Sequence, residues 1–361
     1  MPRKLASVQT VTELRPIEGA DRIELASVLG WHVIVKKDEF KAGDKCVYVE
    51  IDSVLPEQPQ FEFLRSRGFR IRTMKMRGVL SQGIAFPLSI LPPGDYFEGD
   101  DVTEVLGVTQ YEPAMDVERP AKERPPKHPK AAKFLMRFKW YRDRLDKKQS
   151  RAFPDFIGKT DEVRIQSAPF LLEDKTPYIV TEKLDGQSGT YALVYHKRRL
   201  PFLKPKEEYI VCSRNVRLFS RDDSNYWRVS DEYRIRDALR RLQKRFGTEW
   251  VAVQGEIIAP NVQKNKYGVL SPMFFVFNVI TPFGRLGSVE AEKEAGKVGL
   301  SFVPILDEDF RLPDTVDEMV KYADGVSMIN ATPREGVVVR SADGRISFKA
   351  VSNEFLLKWK E

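Results

Sequence analysis

At 361 residues the chain is longer than one hydrophobic core comfortably serves, so two domains are expected, and its 42% hydrophobic residues suffice to build them. The two cysteines, Cys46 and Cys212, show no Cys-x-x-Cys or Cys/His spacing, which argues against a disulfide framework or structural zinc and for a reducing compartment. The opening MPRKLASVQT has no apolar stretch and no run reaches membrane-spanning length, so a cytoplasmic protein without membrane contact is expected. The formal net charge of +7 is concentrated: Arg119 to Arg151 holds thirteen Lys/Arg against three Asp/Glu. Such a segment suits a polyanion, though a solvated charged linker accounts for it equally when judged alone.

Residues 1–111 read as short strands parted by turns: RIELASVLG, WHVIVKK, KCVYVEID and GIAFPL cluster or alternate apolar residues between Gly and Pro. A small barrel is the economical fold, since closure removes exposed edges. Residues 112–150 begin with a proline- and charge-rich linker, EPAMDVERPAKERPPKHPK. A basic helix follows, with Phe134, Phe138, Tyr141 and Leu145 forming an apolar stripe for docking on a domain.

From 151 to 361 strands dominate again, with helices predicted at RIRDALRRLQKRFG, SVEAEKEAGKVG and VDEMVKYADG, each closed by a glycine. That mixture predicts an α+β domain with an antiparallel sheet. Gly158-Lys159-Thr160 looks like the end of a P-loop, but Phe153 stands where the first glycine belongs and Pro154 follows it. Without a glycine-rich nest the backbone amides cannot wrap a triphosphate.

The run EKLDG sets Lys183 at a strand end, followed by Asp185 and Gly186. Downstream come CSRN (212–215), VQGEI (253–257), FFVFNVI (274–280), EGVVVR (335–340) and ISFKAVS (346–352). In this fixed order they resemble motifs I, Ia, III, IIIa, IV and V of the covalent nucleotidyltransferases, the superfamily of ATP-dependent polynucleotide ligases and mRNA capping enzymes. IEGADRIELASVLG and MRGVLSQGIAF resemble the OB-type domains of tRNA-binding modules. With the OB-like barrel first, TDEVRIQS upstream of motif I and SFKAVSNEFL near the end, the chain is similar to the Deinococcus-type RNA ligases with an N-terminal OB domain. Only twelve residues follow Lys349, so no C-terminal OB domain of the DNA-ligase or capping-enzyme kind is expected.

The chemistry asks for these residue types. A lysine amine attacks only when neutral, and its ordinary pKa of about 10.4 must fall for that, through neighbouring positive charge. Carboxylates are needed to hold Mg2+ or Mn2+ beside the phosphate, because hard cations prefer oxygen. Asp185, Glu256 and Glu335, read as coming from three strands, are the metal candidates.

The resemblance implies that Lys183 takes AMP from ATP and that Glu182 lies near the adenine. It implies that Arg214 faces phosphate or the 5′ end, and that Glu256 serves the ribose hydroxyls or metal waters. Phe277 would stack on the adenine, Glu335 would be the metal-side carboxylate of motif IV, and Lys349 would neutralise the α-phosphate. Arg164 and Gln166 in VRIQSA are further candidates. Two positions depart from the pattern: Ser347 replaces the first lysine of motif V, and Asn278 replaces the aspartate that often follows the motif IIIa aromatic.

Phe277 reads equally as core, and Arg214 and Lys349 taken singly as surface charges. Glu256 and Glu335 are harder to explain structurally, because unpaired carboxylates in apolar strands are costly. The implied function is ATP-dependent joining of 3′-hydroxyl and 5′-phosphate RNA ends, at nicks in an RNA or RNA/DNA duplex, through lysyl-AMP and RNA-adenylate. The alternatives are a DNA-preferring ligase, a GTP-using capping-type enzyme, and a non-catalytic RNA-binding protein on a ligase scaffold.

Overall fold

The computed structural model of the chain describes residues 4–111, 152–196, 206–219, 223–342 and 344–359. The basic segment and the aromatic helical stripe expected between 112 and 151 lie outside the described residues. Two compact units interleave along the chain: Met1–Glu112, Glu162–Lys183 and Ile305–Glu361 form the first, Pro113–Asp161 and Leu184–Pro304 the second. The chain passes from one to the other immediately after Lys183.

In the first unit the N-terminal strands make an OB-type sheet. Its order is Trp31–Lys36, Ile23–Val28, Ala6–Pro16, Lys45–Val49, Ile84–Pro87. The long first strand serves two antiparallel ladders, and a bulge between Val11 and Glu13 bends it from one to the other. The edge strands approach each other: the Gln82 N–H donates to the His32 carbonyl (2.8 Å) and the Ile34 N–H to Ser81 Oγ (2.9 Å). The strand residues Val8, Trp31, Val33 and Val47 are buried inside, and Phe61 joins them from the 3-10 helix Pro59–Arg67. Each such aliphatic or Phe side chain contributes roughly 1.5–3 kcal/mol on burial.

The same unit carries a second sheet, ordered Val163–Arg164, Ser347–Val351, Gly336–Ser341, Tyr178–Lys183, Ile305–Phe310. It is antiparallel except for the pairing of Val163–Arg164 with Phe348–Lys349, which is parallel. The barrel is fastened to this sheet through the segment after Arg164. The Gly30 N–H donates to the Gln166 carbonyl (3.0 Å), Trp31 Nε1 donates to Ser167 Oγ (3.2 Å), and Ser167 donates to Glu50. The Arg164 guanidinium sits 5.7 Å from the Trp31 ring centroid. Arg164 and Gln166, read as site candidates, thus lie at the junction with the barrel.

The helix Val316–Ala323 opens with a capping box between Thr315 and Glu318. Its expected glycine stop is not used. Arg334 closes it instead, donating to the carbonyls of Tyr322 (2.6 Å), Ala323 (3.0 Å) and Asp324 (2.8 Å), where a cation also complements the helix dipole.

The second unit is built on a six-stranded antiparallel sheet: Arg217–Leu218, Lys206–Cys212, Gln187–His196, Trp250–Ile258, Met273–Thr281, Gly284–Arg285. Alternation decides its faces. Tyr191, Leu193, Val211, Val251 and Val253 pack under the helices Asn225–Glu232, Ile235–Phe246 and Ser288–Lys297. Ala192, Ile210, Cys212 and Ala252 pack against Phe153 and Ile157 on the other face. The helix Ile235–Phe246 buries Ile235, Ala238, Leu239 and Leu242 along one side and stops at Gly247 in the left-handed conformation (φ 64°).

Both cysteines are buried free thiols, and burial pushes each up to about 12. Among the described residues no helix is long and apolar enough to cross a membrane.

Candidate active site

In the first unit, sheet register places the residues of motifs I, IV and V. Lys183 ends its strand opposite Gly336, so Glu335, just before the neighbouring strand, stands beside it. Lys183 Nζ donates to Glu335 Oε1 at 2.6 Å, and both side chains are mostly buried. Gly336 is fixed by a close approach: a Cβ there would lie 2.2 Å from the Ala350 carbonyl oxygen, and its φ is 156°. The glycine of EGVVVR thus lets two backbones meet beside Glu335.

The ladders align Thr181, Val338, Lys349 and Arg164 in the row next to Lys183. Directly opposed residues share a face, so Lys349 and Lys183 lie on one side of the sheet. Ser347, where the pattern expects a lysine, accepts from Arg340 Nε (3.3 Å), and Arg340 in turn pairs with Glu162 (2.9 Å). A lysine at 347 would set a second cation beside that buried guanidinium.

Glu182 alternates onto the opposite face, with the core residues Tyr178 and Val180. It is 1% exposed and its Oε2 accepts from the Met328 N–H at 2.8 Å, while buried Oε1 has no hydrogen-bond partner among the described residues. Burial raises this carboxyl above its ordinary value. A hydrogen bond from Ser327, the Met328 N–H and the charge of Arg334 oppose the rise.

In the second unit, Asp185 lies in the turn after motif I rather than on a strand, and Glu335 of the first unit lies before its strand. Only Glu256 of the three carboxylates is a strand residue, on Trp250–Ile258. The turn is tied down by side chains. The Gly186 N–H donates to Glu256 Oε1 (3.1 Å), and the Asp185 N–H to the Tyr267 hydroxyl (2.9 Å). Lys266 Nζ pairs with Asp185 Oδ2 (2.5 Å). A Cβ on Gly186 would come within 2.4 Å of the Ile257 carbonyl oxygen, which accounts for the glycine of KLDG.

Phe277 is half-buried and occupies a bulge. Gln254 pairs with Asn278 and Gly255 with Val276, leaving Phe277 as the extra residue on its strand. Such bulges re-aim a side chain without breaking the sheet. Asn278 does not replace a charge in this arrangement: its amide donates to Gln254 Oε1 (2.8 Å), and Gln254 donates to the Gly158 carbonyl (3.0 Å). Arg214 is exposed beyond the strand Lys206–Cys212 and pairs with Asp161 at 3.4 Å.

The structure thus brings Lys183, Glu335 and Lys349 onto one sheet in the first unit. In the second it brings Asp185 to Lys266, and Glu256 to the same turn. Among the described residues no group of three or more His, Cys, Asp or Glu side chains converges to hold a metal unaided. Lys266 and Tyr267 were not foreseen. Their only trace in the sequence is a polar stretch, QKNKYG, after the motif III strand.

The pattern of the RNA ligase family matches residues 176–360, and that of an OB-fold domain matches residues 5–88. This chain belongs to the RNA ligase family. Among solved structures, the ligase is similar to the Naegleria gruberi RNA ligase with pyrophosphate, at 32% identity over 99% of each chain with a TM-score of 0.77. It is also similar to a glutamate-to-alanine mutant of that enzyme with ATP and Mn (31% identity, 99% of this chain and 100% of that one, TM-score 0.77). A lysine-to-methionine mutant with AMP and Mn gives 31% identity, 99% of each chain and a TM-score of 0.78. Mutants of the same enzyme include a lysine and an aspartate two residues apart, and a glutamate and a lysine fourteen residues apart. No curated protein matches the chain. The match to an enzyme family removes the reading of a non-catalytic RNA-binding protein.

Proposed function

We propose that the ligase uses ATP to join a 3′-hydroxyl RNA end to a 5′-phosphate end at nicks in a duplex, through lysyl-AMP and RNA-adenylate. The observation that carries this reading is the Lys183 amine held 2.6 Å from the Glu335 carboxylate at the end of the motif I strand. The spacings seen among the Naegleria gruberi mutants are those of Lys183 with Asp185 and of Glu335 with Lys349, which supports these four as the working residues. That relative has been solved with ATP, with AMP and with pyrophosphate, the nucleotide and leaving group of the first step.

In the first step Lys183 Nζ attacks the α-phosphorus, the phosphoramidate bond forms, pyrophosphate leaves and the amine gives up a proton. Glu335, within hydrogen-bond reach of the amine, orients it and takes that proton. Lys349, on the same face of the sheet, neutralises charge developing on the α-phosphate. AMP then passes to the RNA 5′-phosphate, and the 3′-hydroxyl displaces it.

Asp185, Glu256 and Glu335 each offer the oxygen donors that Mg2+ or Mn2+ prefer, and these ions are commonly held by one or two carboxylates together with water and substrate phosphates. The bound ion would supply charge neutralisation at the transferring phosphate. On the barrel, Arg72, Lys75 and Arg77 are exposed on and beside the Met74–Met76 and Val79–Ser81 hairpin, without an ion pair among the described residues. Their exposed positive charge supports a role as phosphate contacts for the RNA. Two buried, unreactive thiols fit work in the cytoplasm.

Incubation with α-labelled ATP is expected to put label on the wild-type protein and none on K183A. Labelled GTP should give none. Nicks with a ribose 3′-hydroxyl should seal faster than those with deoxyribose. Nick sealing by K183A at the wild-type rate would overturn the covalent mechanism.

A further inference from the structure

We infer that Lys266 and Tyr267 are positioning residues that fix the Asp185 turn for nucleotidyl transfer, a role that rests on the ligase reading above. Three contacts converge on two consecutive residues. Lys266 grips the Asp185 carboxylate at 2.5 Å, the Tyr267 hydroxyl accepts the Asp185 N–H at 2.9 Å, and Glu256 accepts the Gly186 N–H at 3.1 Å. The Lys266 and Asp185 side chains are only 10% and 12% exposed. Withdrawing two charges from water costs more than most surface pairs return, so an ion pair at this depth is weak evidence for stability and better read as a device for geometry.

The loop that carries the clamp is itself constrained. Gln263, Lys264 and Asn265 all adopt left-handed backbone (φ 48°, 59° and 49°), a conformation costly for residues with a Cβ and rare in succession. The Asn265 side chain holds the loop shut, accepting from the Val269 N–H (2.9 Å) and donating to the Val269 carbonyl (3.0 Å). This strained, closed loop sets Lys266 and Tyr267 side by side facing one turn. That turn begins two residues after the lysine that takes AMP. A charge fixed in this way keeps Asp185 in one orientation for the metal ion or metal-bound water it would serve, which is what positioning contributes to rate.

The test is single-turnover lysyl-AMP formation at saturating ATP and Mn2+. K266M is expected to slow that step about a hundredfold, the scale of a misplacement near 1 Å, and to change the ATP concentration for half-maximal rate little. K266R is expected to recover part of the loss, because it restores the cation. Y267F removes only a hydroxyl and keeps the packing, so it serves where K266M fails to fold; a loss of about tenfold is expected there. K266M combined with D185N should be no slower than D185N alone, since the two act as one unit. The inference is overturned if K266M and Y267F form lysyl-AMP at the wild-type rate, or if the K266M and D185N losses multiply. Failure of the wild type to take label from ATP would instead refute the ligase reading itself.

Discussion

Lys183 and Asp185 are two residues apart, yet they are held by opposite means. The lysine is placed by a β-ladder: its strand pairs with Gly336–Ser341 in register, and the register alone brings Glu335 beside it. The aspartate sits in a turn with no ladder, and its position is set by side chains from a strand and a loop some 70 to 80 residues away in sequence. A ladder fixes geometry through many shared hydrogen bonds and tolerates a changed side chain. A turn held by three side chains does not.

That contrast can be broken or sharpened by experiment. The largest effect is expected from E335Q, which removes the charge next to Lys183 and leaves the ladder intact. Lysyl-AMP formation should fall about 10²–10³-fold, the scale of losing one electrostatic partner of the transition state, with the unfolding midpoint nearly unchanged. Next come the two crowded glycines. G336A forces a Cβ against the Ala350 carbonyl inside the ladder and should cost about 2–3 kcal/mol of stability by denaturant unfolding. G186A crowds the Ile257 carbonyl at the turn, and its loss should appear more in the adenylylation rate than in the unfolding midpoint.

Smaller effects are expected from three further charged residues. K75A and R77A on the exposed barrel hairpin should each weaken RNA binding evenly across sequences and lower the salt slope by about 1, with lysyl-AMP formation untouched. The smallest is E182Q. Burial raises the Glu182 carboxyl above its ordinary value, so the folded state favours the protonated form. Stability from this group is then fully present at pH below its unfolded value and is lost as pH rises through its folded value. A glutamine cannot ionise. The unfolding midpoint of E182Q should match the wild type near pH 4 and exceed it increasingly toward pH 7.

The candidate residues were legible because motif chemistry is local. Lys183, Glu256, Glu335 and Lys349 follow from short runs in which a charged residue interrupts or ends an apolar strand. The helix Ile235–Phe246 followed from its period and its terminal Gly247. What the residues do in context was less legible. Arg164 and Gln166 also meet the barrel, which was not legible, because only the fold brings Trp31 and Gly30 to them. Ser347 and Asn278 look like gaps in motifs, but each is a partner in a buried polar contact, with Arg340 and Gln254. The stop of helix Val316–Ala323 was missed because its cap, Arg334, belongs to a separate segment of chain.

By itself the amino-acid sequence determined most strand and helix types, the order of the motifs and the choice of Lys183 as the candidate nucleophile, since each depends on residue type and short spacing. Tertiary structure alone decided that Phe277 occupies a bulge, that Glu335 is the neighbour of Lys183, and that Lys266 holds Asp185. These depend on register and loop closure between segments far apart in the chain, and no local pattern encodes which distant side chain will arrive.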